Sequence, residues 1–237
     1  IHGAAPCPVA VKQAMIAWWG AVIDELYGGT ESIGQTFISA REWLAHPGSV
    51  GKPAGHVDVK IVDDAGNRLP PGESGRIMMR NPQRFAYHGQ AAADEGESYD
   101  AEGFASLGDI GYLDADGYLY LTDRASNMII SGGVNVYPQE AEAVLLGHPA
   151  VADVAVIGVP HRDLGEAAKA LVQLKPDQPR DAAQAAEILA FCAERLSRYK
   201  CPRSLEFVAS LPRNELGKLV KHQIPAALRE GAGPFPA

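Results

Sequence analysis

The chain has 237 residues, 46% of them hydrophobic, which is enough for one large domain or two smaller ones with real cores. Lysine and arginine number 21 against 29 aspartates and glutamates, a formal net charge of −8, and no basic run exceeds two residues, so nucleic-acid binding through phosphate neutralisation is not expected. No apolar run reaches the length of a membrane-spanning helix; the longest, Val154 to Val159 and Ala170 to Leu174, are strand-sized.

Gly3-Ala4-Ala5-Pro6 is a small-residue loop. Val9 to Trp19 has helical apolar spacing (Val11, Met15, Trp18, Trp19) and ends at Gly20. Val22 to Tyr27 reads as a short strand broken by Gly28-Gly29, with Thr30-Glu31 in the loop beyond. A strand ending in glycines and polar groups is a common way to mount a site on a rigid frame. His56 to Val62 alternates as a half-buried strand, Asp64 to Asn67 and Pro70 to Gly75 turn the chain, and Arg76 to Met79 continues a small antiparallel β region. Gln83 to Asp100 is polar and rich in glycine and alanine, an expected exposed loop.

Gly111 to Asp114 and Tyr118 to Thr122 are short strand-like runs around Ala115-Asp116-Gly117, and Asp-Gly is a strong hairpin signal. Met128-Ile129-Ile130 is apolar, Ser131-Gly132-Gly133 is a loop with little side-chain bulk, and Pro138 opens a helix to Leu146 with Glu140 and Glu142 in its early turns. Val151 to Val159, Ala167 to Leu174 and Ser204 to Ala209 are expected strands. Asp181 to Leu196 is an amphipathic helix with Ala185, Leu189, Cys192 and Leu196 along one face. Residues from 126 onward thus read as an α+β module of ordinary domain size, residues 1–125 as a separate β-rich region, and no internal repeat is evident. Cys7, Cys192 and Cys201 form neither a CxxC pair nor a metal spacing; an odd, sparse count points to a reducing compartment, the cytoplasm.

Gly108-Asp109, Gly117-Tyr118, Asp123-Arg124, Ser131-Gly132-Gly133 and Tyr137-Pro138 with Glu140 stand in the order found at the junction of the large and small domains of adenylate-forming enzymes. Tyr27-Gly-Gly-Thr-Glu31 and Pro212-Arg-Asn-Glu-Leu-Gly-Lys218 bracket them in the expected order. The chain therefore resembles AMP-forming acyl-CoA synthetases, luciferases and peptide-synthetase adenylation domains. The fold implied is the end of the large α/β domain, its β-rich part, followed by a small mobile α+β domain.

The resemblance also implies roles. Gly3, Ala4, Ala5, Tyr27, Gly28, Thr30, Asp109 and Arg124 would bind nucleotide. Tyr27 would stack on adenine, Thr30 would hydrogen-bond the α-phosphate, and Asp109 with Arg124 would hold the ribose hydroxyls, as a carboxylate can. Glu31 would help hold Mg²⁺, a hard cation that takes carboxylate oxygen. Ser126 takes the hinge position, where Asp or Lys is usual, and Asn127 stands where Asp is common. Ser131, Gly132 and Gly133 would line the CoA thiol tunnel. Lys218 would bridge the substrate carboxylate and the α-phosphate, catalytic with Thr30 and Glu31. The plain alternatives are a core aromatic at Tyr27, a solvated turn at Thr30-Glu31, a loop carboxylate at Asp109 and a surface lysine at Lys218. Lys221 is read as a surface residue, and His2, His161 and His222 have no partner at useful spacing.

No glycine- and serine/threonine-rich phosphate cradle occurs in the sequence. In the resembling enzymes that loop precedes the stretch matching Gly3 to Pro6, so the chain is expected to correspond to their C-terminal half and to be inactive alone. Glu42 to Gly51 is more like enzymes acting on fatty or aryl acids than like peptide-synthetase domains. The expectation is part of a ligase using a carboxylic acid, ATP, Mg²⁺ and CoA. A carrier-protein-loading enzyme, or an idle half serving as an interaction module, are the alternatives.

Overall fold

A computed structural model of the chain describes residues 1–5, 7–29, 32–82, 99–215 and 217–230. It divides into two compact units, Ile1–Ala125 and Ser126–Ala237. No helix among the described residues is long and apolar enough to cross a membrane.

The first unit opens with helix α1 (Val9–Trp19), stopped at Gly20 with φ 85°. Then come β1 (Glu25–Gly28), β2 (Gln35–Ile38), helix α2 (Ala40–Ala45), β3 (Ser49–Pro53), β4 (Asp58–Val62), β5 (Gly75–Arg80), β6 (Asp109–Leu113) and β7 (Leu119–Arg124). The strands form one sheet in the order β1-β2-β3-β7-β6-β5-β4. The expected β6–β7 hairpin is present. Asp114 Oδ1 accepts from the Asp116 and Tyr118 N–H groups, and Gly117 takes φ 82°. Ile33, Val50, Ile61, Ile77, Met79, Ala105 and Leu119 form one core cluster. Ile16, Ile38, Ala40, Trp43 and Tyr118 form another.

Two differences from the sequence reading have clear causes. Helix α1 does not bury its apolar stripe: Lys12 and Ile16 are inside, while Val11, Trp18 and Trp19 are exposed. Lys12 goes inward because its ammonium group meets Glu25 Oε2 at 2.5 Å and lies over the Trp43 ring at 4.6 Å; a buried charge needs such partners. The strand expected from Val22 starts only at Glu25, and Val22 is exposed. Strands β2 and β3 and helix α2 are additions. Gly51 in β3 runs so close to β2 that a Cβ there would stand 2.1 Å from the Phe37 carbonyl oxygen, a fit only glycine makes. Residues 83–98, most of the expected 83–100 loop, lie outside the described residues.

The second unit contains β8 (Ile129–Ser131), β9 (Val134–Val136), α3 (Pro138–Leu145), β10 (Val151–His161), β11 (Gly165–Leu174), α4 (Ala182–Ala193) and β12 (Ser204–Phe207). Strand β11 is its spine: β10 pairs antiparallel with it from end to end, β12 pairs with it parallel, and β8 meets it at Gly165. Alternation divides the core. Val154, Val156, Ala170 and Val172 join Leu145, Ile188 and Cys192 of the helices in one cluster. Ala155, Ile157, Val159 and Leu171 pack with Val208, Leu211 and Ile224 in another. Helix α4 is capped by Asp181 and buries Gln184, Ile188 and Cys192. The buried row therefore sits one residue before Ala185 and Leu189, the positions the apolar pattern favoured.

Candidate active site

In the first unit, strand β1 carries Tyr27 and is bordered by the start of the chain. His2 bridges Glu25 in parallel register, its N–H donates to the Asp24 carbonyl at 2.8 Å, and its own carbonyl accepts from Leu26 N–H at 2.9 Å. Gly3, Ala4 and Ala5 follow directly. Gly3 has no room for a Cβ, which would lie 2.9 Å from the Leu26 carbonyl oxygen, and Ala4 sits at φ 67°. His2 Nδ1 stands 3.6 Å from Glu25 Oε1, so this histidine has a neighbour 23 positions away that spacing could not reveal.

Three residues named from the sequence converge here. The Tyr27 hydroxyl donates to Asp109 Oδ2 at 2.7 Å, across a sequence separation of 82. Arg124 Nε lies 3.3 Å from Asp109 Oδ1, and the two residues are directly paired between β6 and β7. Asp109 is buried, whereas the Arg124 side chain is half exposed. Burial, then the charge of Asp109, pushes the Tyr27 phenol well above its ordinary range, so it remains a donor. A carboxylate offers about four lone-pair sites, so Asp109 can accept from Tyr27 and still accept from two ligand hydroxyls.

Gly28 closes β1, and Ser32 N–H donates to the Gly29 carbonyl at 3.2 Å. Thr30 and Glu31 lie outside the described residues. Gly29, Ser32, Gly34, Gln35, His56 and Asn81 help line a cleft of about 260 Å³.

In the second unit, Ser126 is exposed within the single 3₁₀ turn Ala125–Asn127. Ser131, Gly132 and Gly133 make the β8–β9 hairpin turn. Gly132 and Gly133 have φ 58° and 80°, the mirror-image turn that favours glycine. Gly132 N–H donates to the Leu164 carbonyl at 2.9 Å, and Gly133 is open to solvent.

Lys218 is half-buried on a tight loop closed by the Arg213–Leu219 bridge. Asn214 Oδ1 accepts from Lys218 N–H at 2.8 Å, and Asn214 N–H donates to the Lys218 carbonyl at 3.0 Å. Four residues not assigned from the sequence tie this region to β10. Arg213 forks onto both Asp153 oxygens at 2.8 and 2.6 Å. Lys221 meets Glu142 Oε1 at 2.8 Å and donates to the Val156 carbonyl at 3.0 Å. Both side chains of the Lys221–Glu142 pair are largely buried, so Lys221 is a buried ion-pair partner rather than a surface residue. The only sequence signal was the basic residue three places after Lys218; its acidic partner is too distant in sequence to be found by spacing.

The profile described as AMP-binding enzyme matches residues 1–86, and that described as AMP-binding enzyme C-terminal domain matches residues 140–218. A 2-succinylbenzoate–CoA ligase of Bacillus licheniformis is 39% identical over 223 residues, covering 94% of this chain and 45% of that protein. A long-chain-fatty-acid–CoA ligase of Salmonella typhimurium is 33% identical over 222 residues, covering 94% and 39%. Among solved structures, the o-succinylbenzoate CoA synthetase of Bacillus subtilis in complex with its acyl-adenylate intermediate matches with a TM-score of 0.82 at 35% identity, covering 94% of this chain and 44% of that one. The chain thus spans less than half the length of the relatives it matches.

Proposed function

Because this chain belongs to the AMP-binding enzyme family, we propose that it corresponds to the C-terminal part of an AMP-forming acid–CoA ligase. The whole protein would join a carboxylic acid to ATP, releasing pyrophosphate and forming acyl-AMP. It would then transfer the acyl group to the thiol of CoA and release AMP. The acid is of the fatty or aryl kind, a range that the names of the relatives span. The free cysteines suit a reducing compartment such as the cytoplasm.

The observation that carries this reading is the meeting of Tyr27, Asp109 and Arg124. The roles proposed for the chain's residues are those the resemblance implies. Asp109 accepts the ribose hydroxyls, with Arg124 beside it and the Tyr27 ring set for adenine. Gly3, Ala4, Ala5 and Gly28 let backbone approach the nucleotide on either side of Tyr27. Thr30 addresses the α-phosphate, and Glu31 contributes a carboxylate to Mg²⁺; the Bacillus subtilis synthetase is also described in complex with ATP and magnesium ion. Lys218 brings a point charge to the α-phosphate and substrate carboxylate as negative charge builds. Ser126 is the hinge, and Ser131, Gly132 and Gly133 offer a narrow backbone turn to the pantetheine thiol.

The test is acid-dependent ATP–pyrophosphate exchange by the whole protein against a panel of fatty and aryl acids. CoA and a pantetheinylated carrier protein are then compared as acceptors. Exchange with at least one acid and thioester formation on CoA are expected. A whole protein that exchanges with no acid would overturn the ligase reading in favour of a binding module.

A further inference from the structure

Resting on the reading of Lys218 as the adenylation lysine, we infer that Arg213 and Asp153 are positioning residues that set where Lys218 stands. The contacts form one chain of atoms. Arg213 uses Nε and Nη2 on the two Asp153 oxygens, and its remaining nitrogen, Nη1, donates to the Gly217 carbonyl at 2.5 Å. That carbonyl belongs to the peptide bond leading into Lys218, and Gly217 itself takes φ 78°. One guanidinium therefore couples the strand to the backbone step immediately before the lysine.

Strand β10 supplies the fixed end. Its register with β11 shifts between Val151 and Asp153, a bulge of the kind that re-aims a side chain. Asp153 Oδ1 also accepts from Val154 N–H at 2.9 Å, which orients the carboxylate before Arg213 reaches it. The Asp153 side chain is mostly buried, so the ion pair is sheltered at its acidic end. A bidentate fork fixes direction as well as distance, which a lysine at 213 could not do.

Asn214 Oδ1 accepts from the N–H of that same Gly217–Lys218 peptide bond at 2.8 Å, while other groups frame the loop without contacting it. Leu211 is buried in a core cluster that Leu219 packs against, and Lys221 is pinned to Glu142 and Val156. These hold the ends of the segment. Within it, Asn214 closes the turn, and Arg213 links the turn to the sheet. A displacement of about an ångström at a charge-bearing group can cost up to a hundredfold in rate.

The experiment uses the whole enzyme with Arg213→Lys, Asp153→Asn and Lys218→Ala, measuring pyrophosphate exchange and acyl transfer from preformed acyl-AMP separately. Arg213→Lys and Asp153→Asn are expected to lower kcat of exchange by about ten- to a hundredfold, to leave KM for ATP and acid near wild type, and to spare transfer. Adding Arg213→Lys to Lys218→Ala should cause no further loss, because its effect passes through that lysine. If Lys218→Ala disables exchange while both positioning variants retain full exchange, or if their effects multiply with it, the inference is overturned. If Lys218→Ala itself retains exchange, the functional reading beneath it fails instead. Equal losses in both half-reactions with a lowered Tm would mark the ion pair as structural only and also overturn the inference.

Discussion

In the first unit the carboxylate of Asp109 is buried and already accepts a tyrosine hydroxyl at 2.7 Å; in the second, Lys218 is half-buried on a loop whose backbone is pinned. Under the roles proposed for Asp109 and Lys218, the two places face different problems. A ribose acceptor must be oriented before the ligand arrives, so its neighbours touch the functional group itself. A lysine that acts on charge developing during reaction must keep its ammonium available, so the protein fixes the chain on either side. The Arg213–Asp153 fork and the Lys221–Glu142 pair hold flanking atoms and leave the Lys218 amine out of their contacts. The proposed binding group is thus held by contacts to its own oxygens, and the proposed charge-stabilising group by contacts to its flanking backbone.

Removing the amine should be the largest break in this comparison. In the whole enzyme Lys218→Ala is expected to slow acyl-AMP formation by about a hundred- to a thousandfold, the usual cost of losing a transition-state donor. Acyl transfer from preformed acyl-AMP should stay near wild type. Equal loss in both steps, read by single-turnover kinetics, would show that the lysine serves the fold or the nucleotide rather than the first step.

Asp109→Ala comes next. It removes the acceptor and strands the Tyr27 hydroxyl, so AMP affinity by calorimetry should fall by about ten- to a hundredfold, the range for a hydrogen bond to a charged group. Tyr27→Phe sharpens the point: the ring stays for stacking and only the hydroxyl goes, so affinity should fall by less than about tenfold. If Tyr27→Phe is as damaging as Asp109→Ala, the phenol is doing more than orienting the carboxylate.

These residues were legible in the sequence to different depths. The β6–β7 hairpin was written in Asp116-Gly117, and the start of α3 in Pro138, because both rest on local backbone preference. The bounds of α1 were likewise local, fixed by Gly20. Its buried face was not, since Lys12 turns inward only because Glu25, thirteen residues on, awaits it. Strands β2, β3 and β9 are short, and β3 contains Gly51 and Pro53, poor strand formers held there by pairing to β2 and β7. Resemblance named Tyr27, Asp109 and Arg124, yet nothing local said they touch. Arg213 was visible as part of a pattern, but Asp153 lies 60 positions away. Long-range ion pairs are the part of this chain that spacing does not encode.

The smallest effect concerns Gly133, and it tests the other half of the chemistry. Its φ of 80° lies in the left-handed region, yet a Cβ there would meet nothing within 4 Å. Gly133→Ala therefore carries only backbone strain, about 1 to 2 kcal/mol, without the clash that Gly51→Ala would bring against Phe37. The second unit should stay folded, with a small fall in Tm. If the turn lies against the CoA thiol, transfer should slow more than acyl-AMP formation, the reverse of the Lys218→Ala pattern. Stopped-flow measurement of each half-reaction decides it: a variant whose two steps fall together, in proportion to lost folded protein, would leave Gly132-Gly133 a plain hairpin turn and remove the assignment of this loop to CoA.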